Sequence, residues 1–103
     1  MKKVKLKLKY DELAAIYADL FNNIVPNNAR GYQVRLMVAV LTKFYMHIGP
    51  KIHFRTQKPV ALTLDMPTAC ALMLWIYHCE RSAADYLDNV YIRIANQIDK
   101  ELA

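Results

Sequence analysis

Apolar residues alternate with lysine at the start of this chain. Val4, Leu6 and Leu8 lie between Lys3, Lys5, Lys7 and Lys9. A period of two predicts a strand with one buried and one wet face. The period then changes. Leu13, Ile16, Tyr17, Leu20, Phe21 and Ile24 recur at helical spacing, with Asp11 placed to cap the helix they imply. Asn22-Asn23 frays this helix and Pro26 ends it. Asn27 or Asn28 opens a longer one, whose stripe runs through Val34, Met37, Val38, Leu41, Phe44 or Tyr45, and Ile48. Gly49-Pro50 is expected to stop it.

Alternation returns at Ile52 and Phe54, set between Lys51, His53 and Arg55, and again at Val60, Leu62 and Leu64. The first run predicts a small strand over 51–55, and the second predicts a firmer one. Asp65 and Pro67 then start a helix, because the first backbone N–H groups of a helix lack partners and proline has no N–H to leave unpaired. From Met66 to Cys79 no residue carries a permanent charge. A helix apolar on nearly every side is expected at the centre of a core or at a subunit interface. Ser82 and Asp85 have capping-box spacing for a last helix that buries Leu87, Val90, Tyr91, Ile94 and Ile98.

The pattern occurs twice. An offset of 56 residues carries Val4, Leu6 and Leu8 onto Val60, Leu62 and Leu64, and Ile16 and Leu20 onto Leu72 and Ile76. An offset of 53 carries Val34, Met37, Val38, Leu41 and Tyr45 onto Leu87, Val90, Tyr91, Ile94 and Ile98. The expected fold is therefore α+β: a small two- or three-stranded sheet with four helices, built as a duplicated strand–helix–helix unit. The pseudo-repeats span 3–49 and 59–102 within one domain, 1–103. Such a unit packs about a pseudo-twofold axis, with the strands adjacent and the helices layered on one side.

Composition adds limits. At 103 residues and 55% hydrophobic the chain suits a single globular domain. The uncharged run is shorter than the roughly 20 residues that span a bilayer, and the lysine-rich start has no continuous apolar stretch of a secretion signal. A cytoplasmic protein without a membrane partner is expected. Cys70 and Cys79 lie on opposite faces of one helix, too far apart to bridge, and are read as small buried apolar groups.

The net charge of +5 is unevenly placed. Residues 1–9 hold five lysines and no acid, whereas residues 59–103 are net negative. In each predicted strand the odd-numbered residues share a parity. Lys3, Lys5, Lys7, Lys9, Lys51, His53 and Arg55 thus form a candidate polyanion-binding face. No aromatic shares that parity, so base stacking is not implied and only sequence-independent nucleic-acid contact is. Arg30, Gln33 and Arg35 form a weaker candidate for DNA contact, since the helix they open is longer than a recognition helix. Surplus apolar residues at Leu36, Val40, Leu74, Trp75, Tyr86 and Ile92 are candidates for an oligomer interface.

Chemistry of catalysis is not visible. Tyr77-His78-Cys79-Glu80-Arg81 places a histidine beside a cysteine, but helical neighbours do not face one another. No ligand pair at metal-site spacing and no glycine-rich phosphate loop occurs, so no cofactor and no metal are expected. The sequence thus reads as a non-enzymatic interaction or adaptor module that oligomerises, with nucleic-acid binding through the basic face as the alternative.

Overall fold

The computed structural model describes residues 3–27, 30–52, 58–78 and 85–102. Among these, two strands and four helices follow in the order β1 (Val4–Leu8), α1 (Tyr10–Asn23), α2 (Tyr32–Ile52), β2 (Val60–Leu64), α3 (Met66–His78) and α4 (Tyr86–Leu102). The order strand–helix–helix therefore occurs twice in this small α+β fold. The strands pair antiparallel, Val4 with Leu64, Leu6 with Leu62 and Leu8 with Val60. The centre of that ladder joins Leu6 to Leu62, two residues that the 56-residue offset also equates.

The sheet has a dry face and a wet face, as its period of two requires. Val4, Leu6, Leu8, Leu62 and Leu64 are buried, while Lys3, Lys5, Lys7, Lys9, Ala61 and Thr63 are exposed. The core beneath the dry face collects Leu13, Ile16 and Leu20 of α1, Leu41 and Ile48 of α2, Leu72 and Ile76 of α3, and Val90, Tyr91, Ile94 and Ile98 of α4. An isolated two-stranded ribbon is marginal in water, so the helices stabilise the sheet as much as it orders them.

Helix ends are closed by local chemistry. The Asp65 carboxylate accepts the Thr68 N–H at 2.9 Å at the start of α3, as expected. Asp85 does the same for Leu87 at 2.9 Å, so it is itself the cap of α4. The expectation had placed it one turn inside. Its supposed partner Ser82 lies outside the described residues. Helix α1 begins one residue before Asp11. Lys9 is its cap residue, and the Glu12 carboxylate accepts the Lys9 N–H at 2.9 Å.

Helix α2 departs from expectation at both ends. It starts after Gly31, whose positive φ of 99° turns the chain and whose carbonyl accepts the Arg35 N–H at 3.0 Å. Asn27 instead closes the exit from α1, donating its N–H to the Ile24 carbonyl; Asn28 lies outside the described residues. At the far end α2 continues through Gly49-Pro50 to Ile52. Proline lacks only one N–H, and so close to the end it costs the helix one bond. The Tyr10 hydroxyl donates to the Ile52 carbonyl at 2.8 Å, satisfying a terminal group that would otherwise favour an earlier stop. Gly49 is helical and buried, and a Cβ added there would lie 3.7 Å from the Tyr17 ring. Lys51 and Ile52 are therefore helical. They do not belong to a third strand, and the sheet has two strands among the described residues.

Candidate interaction surfaces

The wet face of the sheet brings together Lys3, Lys5, Lys7 and Lys9, all exposed, on a ground of small side chains, Ala61 and Thr63. Successive lysines stand about 7 Å apart, two residues of strand rise. Register sets Lys5 opposite Thr63 and Lys7 opposite Ala61, so no acid opposes the central lysines. Lys51 does not join this row, because it ends α2. His53 and Arg55 lie outside the described residues.

The outer edge of β1 is closed at one point. The Lys7 N–H donates to Gln97 Oε1 at 3.1 Å, and the Gln97 amide returns a bond to the Lys7 carbonyl at 3.4 Å. A side-chain amide on α4 thus takes the place of a neighbouring strand, which discourages pairing with another chain at this edge. Sequence reasoning missed it because the partners are 90 residues apart.

At the start of β1 a cavity of about 410 Å³ is lined by Lys3, Lys43, His47, Thr63, Asp65 and Thr68, with Val40 and Phe44 as apolar wall. Three basic side chains from β1 and α2 converge there. The Asp65 carboxyl is held below the usual carboxylate range by the Thr68 hydroxyl and backbone N–H, with a further contribution from Lys3. Lys43 and His47 were not singled out from the sequence. Their spacing of four places them on one helix face, but only the tertiary fold brings that face beside Lys3.

The outer faces of α2 and α3 form a second surface. Tyr32 is 89% exposed, Leu36 67% and Met46 69%. Helix α3, packed against α2, exposes Leu74, Tyr77 and Cys70. Of the two places expected for α3, the centre of the core and a subunit interface, the first is excluded, and Cys70 is exposed and not buried: this chain covers Ala69, Ala71, Leu72, Trp75 and Ile76 and leaves the opposite side open. Cys79 lies outside the described residues. Of the expected interface set, Leu36, Leu74, Tyr86 and Ile92 are exposed, whereas Val40 is half-buried in the cavity wall.

Trp75 is a correction. It is only 6% exposed, and its indole N–H donates to Asp19 at 3.1 Å, so it offers no surface to a partner. Phe21, expected in the core stripe of α1, is exposed instead and lies tilted on Tyr45 with ring centroids 6.2 Å apart. Tyr45 stacks on Tyr17 at 4.5 Å, and a hydrogen bond between their hydroxyls raises the Tyr45 pKa.

Arg30, Gln33 and Arg35 are exposed around the start of α2, a different element from the lysine row. Among the described residues no group of three or more His, Cys, Asp or Glu could hold a metal ion, and no helix is long and apolar enough to cross a membrane. Comparison with known protein families, with curated proteins and with solved structures returns no match.

Proposed function

We propose that this chain is a small, non-enzymatic interaction module that oligomerises through the outer face of α2. The observation that carries the reading is one row of exposed positions: Tyr32, Leu36, Ala39, Lys43, Met46 and Pro50. Their spacing alternates four and three, the spacing of a coiled-coil seam. The seam runs for about 27 Å of helix, from the rise per residue. It lies on the side of α2 opposite the core stripe of Met37, Leu41, Phe44 and Ile48.

The seam reads the same in both directions. An antiparallel second copy sets Tyr32 against Pro50, Leu36 against Met46 and Ala39 against Lys43. Large side chains then meet compact or flexible ones, and the contact closes on a twofold axis, as homodimer interfaces do. The aliphatic stem of Lys43 covers Ala39 while its ammonium group reaches water. Leu74 and Tyr77 on the adjacent α3 add apolar area. A cytoplasmic setting accords with the exposed Cys70 thiol, which an oxidising compartment would modify.

Size-exclusion chromatography with light scattering tests the reading. The wild-type chain is expected to form a dimer. The double variant Leu36→Glu, Met46→Glu is expected to be monomeric, with the dissociation constant raised by about 100-fold or more, since each substitution enters a twofold interface twice. Both side chains are exposed in the single chain, so circular dichroism should be unchanged. A wild-type monomer at high concentration would sink the reading.

A further inference from the structure

The lysine row on the sheet lies on a different element from the outer face of α2, meeting it at Lys43, and it points to a different partner. We infer that Lys3, Lys5, Lys7 and Lys9 form a track for the phosphate backbone of a nucleic acid, running into the cavity at Lys43 and His47. Lys5 and Lys7 stand on β1 and Lys3 and Lys9 flank it; all four are exposed, on the face opposite the buried Val4, Leu6 and Leu8. Their regular rise matches a partner whose charge repeats along a line. At the end of the row Lys3, Lys43 and His47 line the cavity of about 410 Å³ together with Asp65, so basic side chains continue from the row onto α2.

Three observations choose among polyanions. The exposed positions beside the row, Ala61 and Thr63, are small, so among the described residues nothing on this face inserts into a bilayer as interfacial binding requires. Among the described residues no aromatic stands on the face, so contact is with the backbone and not by base stacking. The charge is unbroken along the centre of the face, where Lys5 and Lys7 face Thr63 and Ala61. At the end of the row the Asp65 carboxylate, held ionised by Thr68, offsets the charge of Lys3, so the central lysines carry the attraction. A folded acidic protein would need no such regular row; a phosphodiester chain does.

The test is fluorescence anisotropy with a labelled random-sequence DNA strand and its duplex, using the full chain. Four phosphate contacts predict that duplex binding weakens by about 100-fold between about 50 and about 200 mM salt, and single-strand binding by about 50-fold. Lys5→Glu with Lys7→Glu should abolish binding. Thr63→Glu, which keeps every lysine and introduces an acid opposite Lys5, should weaken it by at least about tenfold. Lys100→Glu at the end of α4 should leave it unchanged. Binding to polyglutamate or to phosphatidylserine vesicles as tight as to DNA at matched charge and salt would overturn the inference, as would absence of DNA binding at the lower salt. The dimer-breaking pair Leu36→Glu, Met46→Glu is run alongside. DNA affinity per chain that survives in that monomer shows that this surface stands whether or not the oligomer does.

Discussion

The indole N–H of Trp75 donates to Asp19 Oδ2 at 3.1 Å, across 56 residues of chain. That separation is the offset that superposes the two strand–helix–helix halves, so equivalent positions of the two halves meet here, as Leu6 and Leu62 do in the sheet. The same oxygen accepts the Tyr91 hydroxyl at 2.5 Å, and the other oxygen accepts the Asn23 amide at 2.8 Å. One carboxylate thereby links α1, α3 and α4.

Asp19→Ala is expected to destabilise the fold by about 2 kcal/mol, because two largely buried donors lose a charged acceptor. Asp19→Asn should cost less, about 1 kcal/mol, since its carbonyl oxygen can still accept from Trp75 and Tyr91 while its amide faces the exposed Asn23, and only the charge is lost. Urea unfolding followed by Trp75 fluorescence measures both. Tyr91→Phe, which removes the bond to Asp19, should cost about 1 kcal/mol. A change of a few tenths for Asp19→Ala would show that water replaces the carboxylate.

Glu12 is only 2% exposed, yet it carries charge. It is balanced by Arg93 of α4 and by the Lys9 N–H. Arg93→Ala should therefore cost about 2 kcal/mol, less than a fully buried pair would, because the arginine is half in water. In a Glu12→Gln background the same substitution should cost under about 1 kcal/mol, since no buried charge is then left without its counterion. A double-mutant cycle by chemical denaturation reads the difference; equal costs would mean that the pair is not coupled.

The two glycines should respond differently. At Gly49 an added Cβ meets the Tyr17 ring at 3.7 Å, ordinary contact, but it also crowds the ring of Pro50, which follows it in the helix. Alanine's propensity is thereby offset, and Gly49→Ala is expected to change stability by less than about 0.5 kcal/mol. At Gly31 there is open space but φ is +99°. Gly31→Ala should destabilise by about 1 kcal/mol through backbone strain alone. Thermal unfolding of the two variants decides. A larger loss for Gly49→Ala would mean that Tyr17 cannot tolerate the closer helix.

What was legible in the residues was the local chemistry. Val4–Leu8 and Val60–Leu64 carry their own alternation, and Asp65 caps the turn that it begins. The wet parity of the lysines followed from the same alternation. Distant partners were not legible. The end of α2 past Pro50 is bonded by Tyr10, 42 residues from Ile52, and the buried Trp75 is bonded to Asp19. Trp75 looked like surplus surface because it lies off the stripe of Leu72, Met73 and Ile76 along its helix. Met46 and Lys43 had a readable signal, a four–three row offset from the core stripe, but only the exposed side of α2 makes that row a surface.

Acid should loosen the start of α3. The Asp65 carboxyl titrates below its ordinary value because the ionised form accepts bonds from Thr68. A group whose folded pKa is depressed stabilises the fold fully above its unfolded value, about 3.9, and loses that contribution as pH falls through the lower folded value. Asp65→Asn should therefore flatten the dependence of the unfolding midpoint on pH below about 4, while lowering it little at pH 7, because asparagine also caps helices. An acid limb equally steep in the variant would assign that limb to other carboxylates.

Salt should act with opposite sign on the two surfaces. Along its 21 residues α2 carries Arg35, Lys43 and Lys51 and no acid. Pairing two copies brings like charges together, with each Lys43 near the centre of the seam. Screening falls off over about 10 Å at 0.1 M salt, so raising salt reduces that repulsion and should tighten the dimer. Lys43→Ala should tighten it at low salt and remove most of the salt dependence. On the lysine row the attraction itself is screened, and nucleic-acid binding should weaken steeply over the same range. Sedimentation velocity for the dimer and anisotropy for DNA, in one salt series, measure both slopes. A dimer that dissociates as salt rises would place its interface on a surface where opposite charges meet, and so away from the outer face of α2.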